Sequence, residues 1–371
     1  MKSLSIMLKP ASSLCNMRCK YCFYEDISCL REVHSYGIMT EAATEAILEN
    51  IRRDLAPGDR VQFAFQGGEP TLAGLPYFQH FSSVVSQWDH RIQVTYSLQT
   101  NGLLLDDAWC IFLAQHNFLV GLSLDLLPQS HDNSRIDAER RGTYRRVLAA
   151  MELLKKHRVE FNILCTLTSE IARHPQQVWK QILALDLQYV QFTPCLDELG
   201  NPGGCAYALT PRRFAAFYNR LFPLWIADYR AGRYRSIKLF DDVVNLMAYG
   251  IPTACGIHGV CHPQIVVEAD GSTFPCDFYC LDEYKLGNLA ESPLREIVTS
   301  PLNHDFAQRP HAQPALCGSC PFRQFCGGNC KRMQREICCS GKDNYCGYQD
   351  FLYQNMADLQ QIARSLQQNR K

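Results

Sequence analysis

Three cysteines crowd into one short run, Cys15-Asn-Met-Arg-Cys19-Lys-Tyr-Cys22-Phe23-Tyr24, and this C-x3-C-x2-C spacing restricts the N-terminal segment to very few folds. Three thiolates can hold three irons of a four-iron cluster and leave the fourth iron open. A ferredoxin run instead spaces its cysteines C-x2-C-x2-C and completes the ligation with a fourth, because an electron carrier needs no open iron. An open iron implies chemistry. Cysteine-rich zinc sites, the competing reading, normally come as pairs that close a four-ligand tetrahedron.

The chain has nineteen cysteines in 371 residues. Its first residues carry an apolar run too short for a signal peptide and interrupted at Lys9. No stretch is apolar for long enough to span a bilayer, so a cytoplasmic protein with no membrane contact is expected. In that compartment thiols stay reduced, so the cysteines point to metal or redox use and not to a disulfide framework. Cys29, Cys110, Cys165, Cys195 and Cys205 are scattered and read as ordinary packing or surface thiols. Lys plus Arg and Asp plus Glu balance at 37 each, which gives no field to recruit nucleic acid and favours a peptide or small-molecule substrate.

From residue 3 to about 232, β-branched and aromatic runs alternate with longer amphipathic stretches, the pattern of βα units in a parallel sheet. The runs cover residues 4–8, 61–65, 92–98, 118–124, 160–166 and 189–192. Helix candidates include 40–55, with Thr40 as cap, and 144–157. Six strands predict a partial (β/α)6 TIM-like barrel of the α/β class over residues 1–234. The first four runs are each followed by a polar cluster: the cysteine motif, Gln66-Gly67-Gly68-Glu69-Pro70, Gln99-Thr100-Asn101-Gly102 and Ser123-Leu124-Asp125. In (β/α) barrels the loops at the carboxyl ends of strands build the active site, so these clusters are expected to share one mouth. A Cys-rich domain over 235–346 and a C-terminal helix over 347–371 follow, the helix marked by Phe351, Leu352, Met356, Leu359 and Ile362.

In these motifs the chain resembles the radical S-adenosylmethionine (radical SAM) enzymes. The resemblance implies that Cys15, Cys19 and Cys22 hold a 4Fe-4S cluster whose open iron binds SAM. It implies that Gly67, Gly68 and Glu69 receive the SAM ammonium, and that Tyr21, Phe23, Tyr24, Gln66, Ser123, Asp125 and Arg135 lie at or near the cofactor. The plainer reading of Asp125 and Arg135 is an ion pair. The later cysteines resemble the SPASM extension, which carries two auxiliary 4Fe-4S clusters. On that resemblance Cys255, Cys261, Cys276 and Cys330 hold one, and Cys317, Cys320, Cys326 and Cys346 the other, giving three clusters in all. Cys338 or Cys339 could replace Cys346, zinc is the alternative metal for Cys317 to Cys330, and His258 and His262 are the weaker ligand candidates.

Segments over nearly the whole chain, among them Lys9-Pro10-Ala11-Ser12-Ser13, Phe63-Ala64-Phe65-Gln66 and Pro275-Cys276-Asp277-Phe278-Tyr279, are similar to the anaerobic sulfatase-maturating enzymes. These oxidise a Cys or Ser of an unfolded or nascent sulfatase polypeptide to Cα-formylglycine. The resemblance implies Asp277 as catalytic base, an auxiliary cluster as acceptor of the second electron, Gln99 as a substrate contact and a flavodoxin or ferredoxin as reductant. One departure stands out. Where the family commonly has Ser-x-Asp-Gly-Pro, this chain has Ser123-Leu124-Asp125-Leu126-Leu127-Pro128, which removes a glycine tolerant of positive φ and puts peptide specificity in question. Two rivals remain open. One is a SPASM peptide maturase forming a thioether or carbon crosslink, although no leader-binding domain is recognisable before Cys15. The other is a metal-stabilised binding module without turnover.

Overall fold

The computed structural model of the chain describes residues 2–308, 313–339 and 344–368. Two compact units interleave along the sequence: Met1–Ser123, Asp132–Phe161 and Pro263–Arg309 form one, and Leu124–His131, Asn162–His262 and Pro310–Lys371 the other.

All six expected strand runs are strands. In the first unit β1 (Ser3–Leu8), β2 (Arg60–Phe65), β3 (Gln93–Thr100) and β4 (Phe118–Ser123) pair in parallel, in that order. β3 runs further than its β-branched core, so Gln99 and Thr100 end the strand and do not follow it. Shared register aligns Ile6, Phe63 and Tyr96, and one residue pair further Leu8, Phe65 and Leu98. Phe63, Phe65, Leu98 and Phe118 are buried beneath Phe78 and Phe81 of the helix Leu75–Ser86. These rings pack edge to face, Phe63 and Phe65 each 5.0 Å from Phe81, a geometry that adds to simple burial. The helices Glu41–Arg52 and Tyr144–Lys156 match the expected amphipathic stretches. Thr40 caps the former by accepting the amide of Ala43 at 3.1 Å, whereas Thr143 makes no side-chain cap.

Strands over the Cys-rich region were not foreseen. β8 (Ile265–Val267) pairs in parallel with β1 on the side away from β2, and β9 (Ser272–Phe274) and β10 (Gly287–Asn288) continue outward antiparallel. The Ile-Val-Val run of β8 is too short to register as a strand on pattern alone. Its pairing, Ile6 to Ile265 and Leu8 to Val267, brings residues 268–280 to the end of β1.

In the second unit β5 (Phe161–Leu167), which starts on the last residue of the first, β6 (Tyr189–Pro194) and β7 (Ser236–Ile237) are parallel. Its core is aromatic: Tyr218, Phe222 and Trp225 on the helix Pro211–Arg230 pack with Phe240 and Phe351, and Phe217 packs against Phe192 and Tyr218. The expected terminal helix is Gly347–Gln368, and it buries Phe351, Leu352, Leu359 and Ile362 while Met356 is half-buried; residues 369–371 lie outside the described residues. Among the described residues no helix is long and apolar enough to cross a membrane.

Candidate active site

The cysteine motif follows β1 and precedes the helix Phe23–Cys29, with Cys22 at that helix's N-cap position. The loop between has little regular structure of its own and is held from outside. Gly68 donates its amide to Ser12 O and Glu69 to Leu14 O, each at 2.8 Å. The approach is so close that a Cβ on Gly68 would lie 2.1 Å from Leu14 O, and one on Gly67 2.8 Å from Ser12 O. Gly67 also sits at φ +115°, which side chains disfavour. On a second side Arg18 and Lys20 donate to the carbonyls of Ile136 and Ser134. On a third, Asn101 Nδ2 donates to Asn16 Oδ1 at 2.7 Å and approaches Cys15 Sγ at 3.9 Å.

Glu69 ties these supports together. Its Oε1 accepts from Thr71 N–H, Thr71 hydroxyl and Thr100 hydroxyl, and its Oε2 from the amide of Asn101 at 2.7 Å. Burial pushes its carboxyl above the usual range, against these four donors. Glu69 is 1% exposed. The carboxylate expected to receive a ligand ammonium joins the loop after β2 to the end of β3. Asp125 in the second unit is fully buried and accepts the amide of Thr166 at 3.0 Å. Gln66, Gln99, Ser123, Tyr21, Phe23 and Tyr24 are partly exposed, as ligand-facing groups need to be. Gln99 donates to Ser123 Oγ at 2.9 Å, and buried Arg135 lies 5.5 Å from the Tyr21 ring.

Asp277 sits in a buried charge network in the same unit as the cysteine loop. Lys9 Nζ lies 3.0 Å from Asp277 Oδ1, 3.6 Å from Glu268 Oε1 and 3.2 Å from Cys280 Sγ. Arg31 Nη1 completes the set at 2.6 Å from Glu268 Oε1. Two cations thus face two carboxylates. Burial works against the Lys9 charge, but Cys280, Asp277 and Glu268 outweigh it and hold the ammonium above the ordinary lysine range. Burial likewise opposes the Glu268 charge, and Lys9 and Arg31 overcome it to keep that carboxyl low. The Tyr24 hydroxyl donates to Asp277 Oδ2 at 2.7 Å, with Gln66 Oε1 at 3.3 Å as the alternative acceptor. Burial, then Asp277, pushes the phenol well above its usual range, so Tyr24 remains a donor. Sequence reasoning assigned no role to Lys9, Arg31, Glu268 or Cys280. A lysine at the carboxyl end of β1 was the available signal.

The donor sets fit metal clusters. Burial pushes the Cys15 thiol up to about 11 and raises that of Cys22, and a negative charge on Cys22 disfavours one on Cys15. Crowded thiols of this kind are stabilised by a shared metal, whose binding expels their protons. In the second unit Cys255, Cys261 and Cys330 interact electrostatically, and Gly256 packs so closely that a Cβ would lie 2.7 Å from Cys330 Cβ. Cys276 belongs to the first unit. Cys317, Cys320, Cys326, Cys338 and Cys346 line one cavity, with Cys338 hydrogen-bonded to both Cys326 and Cys346. Gln349 donates to this group twice, through its side chain to Cys320 Sγ at 3.3 Å and its amide to Cys346 Sγ at 3.4 Å. Cys195 and Cys205, read as ordinary packing or surface thiols, hydrogen-bond to one another.

Comparison with known proteins agrees with this geometry. The Radical SAM superfamily description matches residues 10–174, and an iron-sulfur cluster-binding SPASM domain matches residues 260–321. A cysteine-type anaerobic sulfatase-maturating enzyme of Clostridium novyi is 37% identical over 99% of this chain and 99% of its own. The chain belongs to the anaerobic sulfatase-maturating enzymes. A serine-type member of that family, from Bacteroides thetaiotaomicron, is 27% identical over 89% of this chain and 83% of its own. The solved structure of native anSMEcpe with bound AdoMet and Cp18Cys peptide superposes with a TM-score of 0.89 at 36% identity, covering 98% of this chain and 99% of that one. As a sulfatase-maturating enzyme the chain is a radical SAM enzyme with a SPASM domain, which sets aside a binding module without turnover.

The close packing at Gly68 yields a direct test. Gly68→Ala is expected to push the loop of residues 12–14 away, seen as faster hydrogen exchange over residues 15–22 and a lower iron content after anaerobic reconstitution.

Proposed function

We propose that the enzyme oxidises one cysteine of a sulfatase polypeptide to Cα-formylglycine, with Asp277 as the base. The observation that carries this is the position of Asp277, a buried carboxylate held between the Lys9 ammonium and the Tyr24 hydroxyl, with Tyr24 only two residues beyond Cys22. In this reading the radical SAM function occupies residues 1–234, the auxiliary clusters 235–346, and the terminal helix 347–371 buttresses them. Cys15, Cys19 and Cys22 hold the SAM-binding 4Fe-4S cluster. Cys255, Cys261, Cys276 and Cys330 hold one auxiliary cluster, and Cys317, Cys320, Cys326 and Cys346 the other. Gln66, Gly67, Gly68, Tyr21, Phe23, Tyr24, Ser123 and Arg135 surround SAM, and Gln99 meets the peptide. Glu69 and Asp125 act as positioning residues through the loops they hold.

When bound, SAM and its cluster supply the adenosyl radical that removes a Cβ hydrogen atom, and an auxiliary cluster supplies the acceptor for the second electron. The residues of the chain manage the remaining proton. A thiol-bearing carbon that becomes a thioaldehyde loses two electrons and two protons in all, one of each as the hydrogen atom. The second proton leaves sulfur, and Asp277 is the acceptor. Lys9 Nζ lies beside Oδ1, and the Tyr24 hydroxyl donates to Oδ2 and orients it. The thioaldehyde then hydrolyses to the aldehyde. Higher identity to the cysteine-type than to the serine-type relative supports a thiol substrate. A flavodoxin or ferredoxin is the matching reductant.

The deciding experiment is mass spectrometry of paired Cys and Ser peptides carrying the sulfatase motif, after anaerobic incubation of the reconstituted enzyme with SAM and dithionite. Formylglycine in the Cys peptide is expected. SAM cleavage that leaves both peptides intact would overturn the substrate assignment. Replacing Cys15, Cys19 and Cys22 together by Ala is expected to abolish 5'-deoxyadenosine formation while the auxiliary iron remains. Asp277→Asn is expected to go on cleaving SAM and to lose formylglycine by about 100-fold or more, the usual scale for a lost general base; normal product yield would remove Asp277 from the mechanism.

A further inference from the structure

The helix Phe23–Cys29 carries Glu25 and Cys29 on the same outer face, four residues apart. After the helix ends the chain turns back and places the exposed His34 against that face. Cys29 Sγ lies 3.5 Å from His34 Nε2 and 3.9 Å from Glu25 Oε1, and the three ligand atoms all fall within 4.8 Å of one another. Around a tetrahedral zinc, sulfur, nitrogen and oxygen ligands stand about 3.4 to 3.6 Å apart, given Zn–S of about 2.3 Å and Zn–N or Zn–O of about 2.1 Å. Small rotamer adjustments of exposed side chains cover the difference.

We propose that Glu25, Cys29 and His34 form a zinc site, separate from the cysteine clusters and with its fourth position open to solvent. The donor chemistry selects the metal: thiolate, imidazole and carboxylate together suit zinc, whereas magnesium and calcium take oxygen ligands throughout. Thiolate and carboxylate also neutralise the dication. The loop that presents His34 is held by bonds of the protein's own. The carbonyl of His34 accepts from Ser13 Oγ at 2.8 Å and from Arg31 Nη2 at 3.0 Å, and the other end of that guanidinium is buried against Glu268. Ser28 Oγ lies 3.4 Å from the same His34 nitrogen, so zinc exchanges one hydrogen bond for a coordinate bond. Zinc here staples residues 30–34 to the helix that bears Tyr24.

The test uses holoenzyme whose iron content is complete, so that the cluster cysteines are occupied. After anaerobic equilibration with excess zinc sulfate and desalting, zinc and iron are counted by mass spectrometry. Wild-type enzyme is expected to retain one zinc per chain more than Cys29→Ser and His34→Ala, with iron equal in all three. Glu25→Gln should weaken zinc about 10-fold or more in competition with a chromophoric chelator. X-ray absorption of the wild-type zinc should show one sulfur among lighter ligands. Equal zinc in wild type and both variants, or an all-sulfur shell, would overturn the assignment.

Discussion

Much of the first unit turns on one buried ammonium. Lys9 follows β1 directly, and its amide is bonded to Val267 O, so the parallel pairing of β1 with β8 fixes where its side chain starts. From there it reaches Glu268 at the end of β8 and Asp277 beyond β9. Without it, Asp277 would be a buried carboxylate supported by a single phenol. Removing one partner from such a pair typically costs about 3–5 kcal/mol, because the remaining charge stays desolvated. Arg31 guards against that imbalance on the far side of Glu268, so the network is neutral in sum while each charge stays out of water. Electrostatics of this kind gives little net stability.

The cysteine loop obeys a different constraint, one of space. It has no helix or strand to hold its backbone, and the neighbours that do so must come within hydrogen-bond reach. Glycine at 67 and 68 is what permits this approach, and the carboxylate of Glu69 locks the arrangement to Asn101, which in turn touches Cys15 and Asn16. A motif that reads as ligand-binding is therefore also a piece of scaffolding, and in Glu69 the scaffolding accounts for all four observed bonds.

The six main strands and the long helices were legible because their signals are local: β-branched runs, a threonine cap, apolar residues at helical spacing. The cysteine motif was legible because its ligands are close in sequence. What escaped was whatever depends on pairing at a distance. β8 is three residues long, and only its contact with β1 makes it a strand. Lys9, Arg31 and Glu268 are separated by up to 259 residues, and each alone looks like an ordinary surface charge. The inward bonds of Glu69 and Asp125 were also out of reach, since sequence does not show which carboxylates accept backbone amides. The Cys195 and Cys205 contact was hidden for the same reason.

One turn of helix carries a consequence for how this enzyme can change. Cys22 stands at the N-cap position of the helix Phe23–Cys29, and Tyr24 in its first turn donates to Asp277. A helical turn is stiff at about 1.5 Å of rise per residue, so the cysteine and the phenol move as one piece. The position of the metal loop and the setting of the base cannot be tuned separately. A substitution that shifts either is felt by both.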